Sequence, residues 1–292
     1  MADSVNLPPL RISELLRTWG LHPDKRLGQN FLVDEVALRR IVEAAGVESG
    51  DAVLEIGPGL GSLTRHLAVR ASRVVAVEKD ARLLPPLKSV LADYDNVRIV
   101  LGDILQIPAP SLMAAEDYLV VANIPYYITS AVFRHLLGSS PRPRRIVLTV
   151  QREVAERICA PPGKMSLLAL SVQVYGEPRV AARVPAGAFH PVPKVDSAVV
   201  RVEMLPQPRI PAAQLPLFFR LAKAGFSQKR KTLLNALSGG MRWPKATTRA
   251  CLEAAAVAPA ARAQALDWPA WARLTNAAGE ILRRAADSDI PA

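Results

Sequence analysis

The sequence is poor in the residues and segments that mark several classes of protein. Its 292 residues include only two cysteines, Cys159 and Cys251, which lie far apart and argue against a disulfide framework. The four histidines lack the spacing of metal ligands, so no metal site is expected. No apolar run approaches the roughly 18 residues of a membrane span. The N-terminal stretch MADSVNLPPLRISELL has no signal-peptide pattern. We therefore expect a cytoplasmic protein with no membrane partner.

Acidic residues are scarce where basic ones accumulate. The formal net charge is +11, and residues 206–292 contain 13 Lys and Arg against five Asp and Glu. A basic segment joined to a nearly neutral one is typical of a protein with a polyanionic partner, because cations that neutralise phosphates release counterions. Charge alone fits a solvated basic surface equally well.

Short apolar runs alternate with helical patterns up to about residue 205. Strands are predicted at 52–56, 73–78, 96–103, 118–123 and 145–151, with further strands, antiparallel additions to the sheet, at 179–184 and 197–205. Helical segments begin near Asp80, Thr129 and Glu153. This alternation predicts an α/β fold with a parallel sheet covered on both faces.

Beyond residue 206 the strand pattern stops and only helical patterns follow. The sequence therefore predicts two domains. Residues 1–205 would form the catalytic α/β domain, and residues 206–292 a smaller, basic helical domain.

A glycine-rich turn follows the first strand of the α/β region. The stretch EIGPGLG at 55–61 is G-x-G-x-G and fails the dinucleotide form because residue 62 is serine. Pro58 has no backbone N–H, so the turn offers one donor fewer to a phosphate, which fits a ligand without a pyrophosphate. Glu78 ends the second strand, where a carboxylate can accept both hydroxyls of a ribose, and Asp103 ends the third, where it could accept from an adenine amine. This combination indicates S-adenosylmethionine bound on a Rossmann-like sheet.

The stretch NIPY follows another strand end, next to this inferred cofactor site. The amine of adenine is a poor nucleophile because its lone pair is delocalised into the ring. Two acceptors on its N–H groups would favour a more tetrahedral nitrogen. The Asn123 side-chain oxygen can be one acceptor and the Ile124 carbonyl the other, held rigid by Pro125. Tyr126 offers a ring on which a flipped base can stack. The alternative, an ordinary Asn-Pro loop with a packed tyrosine, is common in isolation, but the adjacent cofactor residues argue against it.

The motifs KRLGQNFL, EIGPGLGSLT, VEKD, NIPYYITS, FHPVPKVDSAVVR and SQKRKTLLNAL occur in this order within residues 25–240. Together they closely resemble the KsgA-type small-subunit ribosomal RNA adenine-N6,N6-dimethyltransferases. The resemblance implies a class I, S-adenosylmethionine-dependent methyltransferase that acts without a metal. It implies dimethylation of two adjacent adenines in the 3′-terminal hairpin of 16S rRNA during ribosome biogenesis, by a monomer that binds the small ribosomal subunit precursor.

The resemblance also assigns site residues by position. The cofactor pocket would be lined by Asn30, Leu32, Gly57, Glu78, Asp103 and Asn123. Phe189 would stack on the face of the target base opposite Tyr126. A core aromatic before a proline-rich turn is the alternative for Phe189. For KRLGQNFL, the alternative is a polar turn before a helix that is capped by Asp34. Tyr127 departs from the asparagine that is common after the tyrosine of this motif.

Five basic residues are candidates for contact with RNA phosphates. They are Arg144, Arg145, Lys229, Arg230 and Lys231. A run of charges is usually a solvated face, but here the inferred substrate is a polyanion.

Two other functions remain open at this stage. An Erm-type 23S rRNA adenine methyltransferase shares the glycine turn and the NIPY motif, although SQKRKTLLNAL and the longer helical segment favour the small-subunit enzyme. A non-catalytic RNA-binding assembly factor could reuse the same fold, but the cofactor acids and Asn123 argue against it.

Overall fold

The computed structural model describes residues 7–113, 117–228 and 230–288. The chain divides into two compact units. The first comprises Met1–Glu156 and Glu177–Met204, and the second comprises Arg157–Gly176 and Leu205–Ala292. The chain therefore crosses between the units near residue 157, near residue 177 and again near residue 205.

Hydrogen bonds explain why the segment Arg157–Gly176 belongs to the second unit. Gly163 N–H donates to the Gln264 carbonyl at 2.9 Å, and Arg209 N–H donates to the Val174 carbonyl at 2.8 Å. Both partners lie beyond residue 205. The sequence pattern could not reveal these long-range pairs.

The described part of the first unit builds a seven-stranded sheet and a two-stranded ribbon. The strands are β1 (Phe31–Leu32), β2 (Ala52–Ile56), β3 (Arg73–Glu78), β4 (Val97–Leu101), β5 (Tyr118–Asn123), β6 (Arg145–Gln151), β7 (Gly176–Val184), β8 (Phe189–His190) and β9 (Ser197–Met204). The large sheet has the order β4-β3-β2-β5-β6-β9-β7, and the ribbon pairs β1 with β8.

Strands β4, β3, β2, β5 and β6 are parallel neighbours, and β9 runs antiparallel to β6. The predicted parallel sheet with late antiparallel additions is therefore confirmed. The chain extends to one side of β2 through β3 and β4, and to the other through β5 and β6. Open α/β sheets bind ligands at such a reversal, at the carboxyl ends of the strands.

Helices flank the strands of the first unit. They are α1 (Ile12–Thr18), α2 (Glu35–Ala45), α3 (Ser62–Ala68), α4 (Leu84–Val90), α5 (Ala109–Met113), α6 (Thr129–Leu137) and α7 (Arg152–Ile158), the last of which runs into the second unit. The Asp34 carboxylate accepts from the Ala37 N–H at 2.7 Å and caps α2, as its sequence position predicts. Buried aliphatic residues of α2, α3 and the central strands form one core cluster.

The described residues of the second unit are helical, as predicted after residue 206. The helices are α8 (Leu167–Gln173), α9 (Leu215–Phe226), α10 (Leu233–Met241), α11 (Lys245–Ala254) and α12 (Trp268–Ser288). Trp271 and Phe218 are fully buried and meet edge to face at 5.8 Å between ring centroids. Aromatic pairs in this geometry add packing energy beyond the area that they bury.

Candidate active site

A cavity of about 250 Å³ opens at the carboxyl edge of the sheet in the first unit. Its walls come from the segment before β1, the β2–α3 turn, the ends of β3 and β4, and the end of β5 with the turn that follows. Nine predicted site residues line it, and eight of them are Asn30, Leu32, Gly57, Glu78, Asp103, Asn123, Ile124 and Tyr126. Pro125 lines it as well. Residues from five separate segments therefore meet at one site.

The glycine turn forms the floor of the cavity where β2 ends. Gly57 and Gly59 have φ angles of 69° and 60°, a region that side chains with a Cβ rarely adopt. A Cβ at residue 59 would lie 2.9 Å from the Phe31 ring. Glycine is thus required both for the backbone path and for the close approach of β1.

Glu78 holds this turn in place. Its Oε2 accepts from the Gly59 N–H at 3.0 Å, and its Oε1 accepts from the Asp80 N–H at 2.8 Å. The carboxyl is only 6% exposed, and burial raises its pKa above the ordinary value despite these hydrogen bonds. Each oxygen keeps a further lone pair, so the group can still accept from hydroxyls in the cavity.

Asp103 lies after β4 and stays ionised. Its Oδ2 accepts from Lys79 Nζ at 2.8 Å, and its Oδ1 accepts from the Leu105 N–H at 3.0 Å. The bond from Lys79 holds the pKa of Asp103 below its usual value. Sequence reasoning missed Lys79, which also lines the cavity.

Glu55 lies in β2, just before the glycine turn, and lines the cavity. Its side chain is 1% exposed, and the neighbouring Thr64 hydroxyl only partly offsets the effect of burial on its pKa. Burial, reinforced by the charge of Glu78, raises the pKa of Glu55 to about 8. A carboxyl buried in this way beside the cavity holds its proton near neutral pH.

The orientation of the Asn123 amide follows from its partner. Asn123 Nδ2 donates to the main-chain carbonyl of Asn30 at 3.1 Å. A carbonyl oxygen can only accept, so the NH₂ group must face Asn30 and the Oδ1 atom is the one left for another donor. Ile124 is buried and Pro125 has extended backbone angles of −57° and 132°. Asn123 therefore presents an acceptor beside the cofactor acids.

Tyr126 is half-buried, with its ring in the cavity wall. Its hydroxyl lies 2.7 Å from Ser197 Oγ at the start of β9. Burial raises the pKa of Tyr126. Ser197 is fully buried, and nothing in the sequence pattern around it points to this contact. Tyr127, the next residue, is 63% exposed at the rim.

The structure does not bring Phe189 to the cavity. Phe189 is 2% exposed, pairs with Leu32 in the β1–β8 ribbon and belongs to the core cluster beneath the sheet. The cavity lining does not include it. Phe189 thus packs in the core in this structure, and its stacking on the target base stays a prediction.

Arg144 and Arg145 lie at the end of the sheet opposite the cavity. Arg145 pairs in register with Leu119 at the start of β5, whereas Asn123 ends that strand. Arg145 bonds to Glu203 and to the carbonyl of Ala45.

Arg144 forms ion pairs with Asp51 at 2.8 Å and Asp117 at 3.0 Å. Both guanidinium groups are engaged in intramolecular bonds, and their contact with RNA stays a prediction.

The remaining basic candidates lie before α10 in the second unit. Arg230 and Lys231 are exposed, and Lys229 lies outside the described residues. Among the residues that the structure describes, no group of three or more His, Cys, Asp and Glu could hold a metal ion. No helix in the described ranges is long and apolar enough to span a membrane.

Four features define the class of this protein as a Rossmann-like methyltransferase. They are the cavity at the topological reversal, the glycine turn, the acids at the ends of β3 and β4, and the amide acceptor at the end of β5. The family model described as ribosomal RNA adenine dimethylase matches residues 21–277. The chain belongs to this family.

Relatives agree in sequence and in fold. Ribosomal RNA small subunit methyltransferase A of Dehalococcoides mccartyi is 44% identical over 262 residues, 89% of this chain and 90% of the relative. The protein of the same name from Moorella thermoacetica is 43% identical, over 94% and 98% of the two chains.

Two solved structures share the fold. The 23S rRNA methyltransferase ErmE aligns with a TM-score of 0.69 and 31% identity over 85% of this chain and 99% of its own. A dimethyladenosine transferase from Plasmodium falciparum aligns with the same TM-score and 26% identity, over 84% and 95%.

Proposed function

We propose that this chain dimethylates the N6 amines of two adjacent adenines in the 3′-terminal hairpin of 16S rRNA, with S-adenosylmethionine as the methyl donor. The observation that carries the proposal is the enforced orientation of Asn123, which leaves Oδ1 as an acceptor beside Glu78 and Asp103. The choice of the small subunit follows the curated relatives, which are 38–44% identical and named ribosomal RNA small subunit methyltransferase A.

The residues of the cavity fit S-adenosylmethionine. Glu78 would accept from the ribose hydroxyls and Asp103 from the adenine amine, while the turn at Gly57 admits the amino-acid end. When bound, this cofactor supplies an electrophilic methyl group on a positively charged sulfur.

The protein's part in the reaction is to hold the acceptor amine. Asn123 Oδ1 and the Ile124 carbonyl accept from its two N–H groups, which withdraws the nitrogen lone pair from the purine ring. Pro125 restricts the backbone so that the second acceptor stays in place. Tyr126 supports the base by stacking. Such preorganised acceptors act without a general base, because a methylated amine that carries positive charge loses its proton readily.

The second unit would bind the RNA backbone. Support comes from the net charge of residues 206–292 and from the exposure of Arg230 and Lys231, next to Lys229. We assign residues 1–205, apart from Arg157–Gly176, to catalysis and the basic remainder to RNA binding. A cytoplasmic monomer that acts on the small-subunit precursor completes the proposal.

Methyl transfer to separate ribosomal particles tests the substrate. Purified protein, labelled S-adenosylmethionine and undermethylated 30S or 50S particles would be combined, and the labelled nucleotides mapped. We expect dimethyladenosine in 16S rRNA alone. Label confined to 23S rRNA would instead support the Erm-type activity that ErmE carries, and failure to bind S-adenosylmethionine would support a non-catalytic assembly factor.

A further inference from the structure

The carbonyl of Asn30 has to be held in position if it is to orient the Asn123 amide. Asn30 lies in the loop before β1, 93 residues away from Asn123 in sequence. Backbone hydrogen bonds to the Asp24 and Lys25 carbonyls, and one from the Asn30 side chain to the Gly28 carbonyl, close this loop on itself, so a side chain that reaches another segment must fix its position. The residue that does so is its neighbour, Gln29.

Gln29 braces the loop with both ends of its amide. Its Oε1 accepts from the Asp24 N–H at 2.7 Å, and its Nε2 donates to Asp80 Oδ2 at 2.8 Å. The first bond ties the loop to its own start and the second ties it to the segment after β3. Since an N–H can only donate and a carboxylate can only accept, the amide of Gln29 has a single permitted orientation.

Asp80 is a firm partner for this amide. It is 7% exposed, and Arg82 donates to it from Nε at 2.9 Å and from Nη2 at 2.7 Å. The bonds from Arg82 lower the pKa of Asp80, so the carboxylate stays ionised. The N–H of Asp80 donates to Glu78 Oε1. One continuous set of hydrogen bonds thus leads from Glu78 through Asp80 to Gln29.

We infer that Gln29 is a positioning residue that connects the cofactor acid Glu78 with the amine acceptor Asn123. Through Asp80 it places the loop, and the Asn30 carbonyl in that loop sets the Asn123 amide. The inference rests on the proposed function for its effect on the reaction. Without the Gln29 side chain, the Asn30 carbonyl is no longer fixed and the Asn123 Oδ1 atom faces the amine for only part of the time.

Exchange of the two partners tests the connection. The variants are Gln29→Ala, Gln29→Glu, Asp80→Asn and the double variant Gln29→Glu with Asp80→Asn. In Gln29→Glu two carboxylates oppose each other, whereas in the double variant the new amide donates to the new carboxylate. The exposed Gln207→Ala serves as the matched control. Each full-length protein would be assayed on 30S particles, with the cofactor Kd measured by calorimetry.

We expect kcat to fall about tenfold or more in Gln29→Ala and Gln29→Glu, with the cofactor Kd changed by less than about threefold. The double variant should recover a clear part of kcat relative to Gln29→Glu, because the direction of the hydrogen bond is reversed but the bond is kept, although the bond from Arg82 Nη2 is lost. A wild-type kcat in Gln29→Ala would overturn the inference. A loss of kcat that accompanies an equal weakening of cofactor binding, and that the double variant does not recover, would also overturn the inference.

A spectroscopic readout keeps this inference separate from the proposed function. The side-chain ¹⁵N and ¹H resonances of Asn123, assigned by their loss in Asn123→Asp, report the bond to Asn30 in the free protein. They should move in Gln29→Ala and return in the double variant. Resonances that do not move would overturn the inference even if the enzyme is active. If the wild type methylates no 30S particle, the proposed function fails, and these resonances still decide the role of Gln29.

Discussion

Asn123 donates its Nδ2 hydrogen to the carbonyl of Asn30 at 3.1 Å, across 93 residues of sequence. This one hydrogen bond converts an amide that could present either end into one that presents an acceptor. It joins the end of β5 to the loop before β1, two segments that lie far apart in the sequence.

Removal of the Asn123 amide should abolish most methyl transfer. Asn123→Ala loses the side-chain acceptor, and we expect kcat to fall by about 10² to 10³, as for the loss of one preorganised group in other active sites. Single-turnover transfer to 30S particles measures the effect. Asn123→Asp, which sets a carboxylate against the Asn30 carbonyl, should be at least as impaired. Full activity in either variant would refute the clamp.

Tyr126 and Ser197 should behave as a coupled pair. Tyr126→Ala loses the ring and should lower kcat/KM by about one to two orders of magnitude, the value of a stacked base. Ser197→Ala keeps the ring but leaves the phenol without its partner at a cost of about 1–3 kcal/mol of unfolding free energy.

Tyr126→Phe combined with Ser197→Ala removes both hydroxyls and should be closer to the wild type than Ser197→Ala alone. Chemical denaturation of the wild type, the two single variants and the double variant gives the coupling energy. An additive result would show that the two hydroxyls do not interact in solution.

Glu55 should make stability depend on pH in the absence of cofactor. Its folded pKa of about 8 lies above its ordinary value of 4.5, so the folded state holds a proton that the unfolded chain releases. This contribution is complete below about pH 4.5 and is lost as the pH rises through about 8. Glu55→Gln should therefore gain stability relative to the wild type between about pH 5 and 9, on the order of 3 kcal/mol. If the difference in unfolding free energy between Glu55→Gln and the wild type stays the same at all pH values, the burial of this carboxyl is contradicted.

Arg145 should contribute to stability and not to RNA binding. Its side chain is 15% exposed and bonds to Glu203 and to the Ala45 carbonyl, so Arg145→Ala should lower the unfolding free energy by about 1–3 kcal/mol. The folded Arg145→Ala protein should bind 30S particles with the same affinity as the wild type. Arg98→Ala, at an exposed position on β4, removes the same charge and is the control. Weaker binding with unchanged stability would instead assign Arg145 to the RNA interface.

The basic residues before α10 should carry the salt dependence of RNA binding. Combined alanine substitution of Lys229, Arg230 and Lys231 should reduce the slope of log K against log salt by about one for each phosphate that is no longer neutralised. Substitution of three exposed cations elsewhere in the second unit removes equal charge and is the control: Lys245, Arg249 and Arg262. Equal slopes in the two triple variants would mean that only net charge matters.

The residues at the strand ends were predictable because the physics is local. Parallel strands that end in Gly57, Glu78 and Asn123 must present those residues at one edge, and the structure brings them to one cavity. The partners of those residues were not predictable. Gln29 and Ser197 lie in segments whose patterns predict only a polar turn and a strand, and their bonds span 51 and 71 residues.

The sequence by itself determined the order of strands and helices, the glycine turn, the acids, the amide acceptor and the basic C-terminal helices, since periodicity and turn chemistry act over a few residues. Tertiary structure alone decided that Phe189 packs in the core, that Arg144 and Arg145 stabilise the opposite end of the sheet, and that Arg157–Gly176 joins the second unit. It also decided which end of the Asn123 amide faces the cavity. Each of these depends on a neighbour brought from far along the chain, and burial and hydrogen bonding are properties of that neighbourhood.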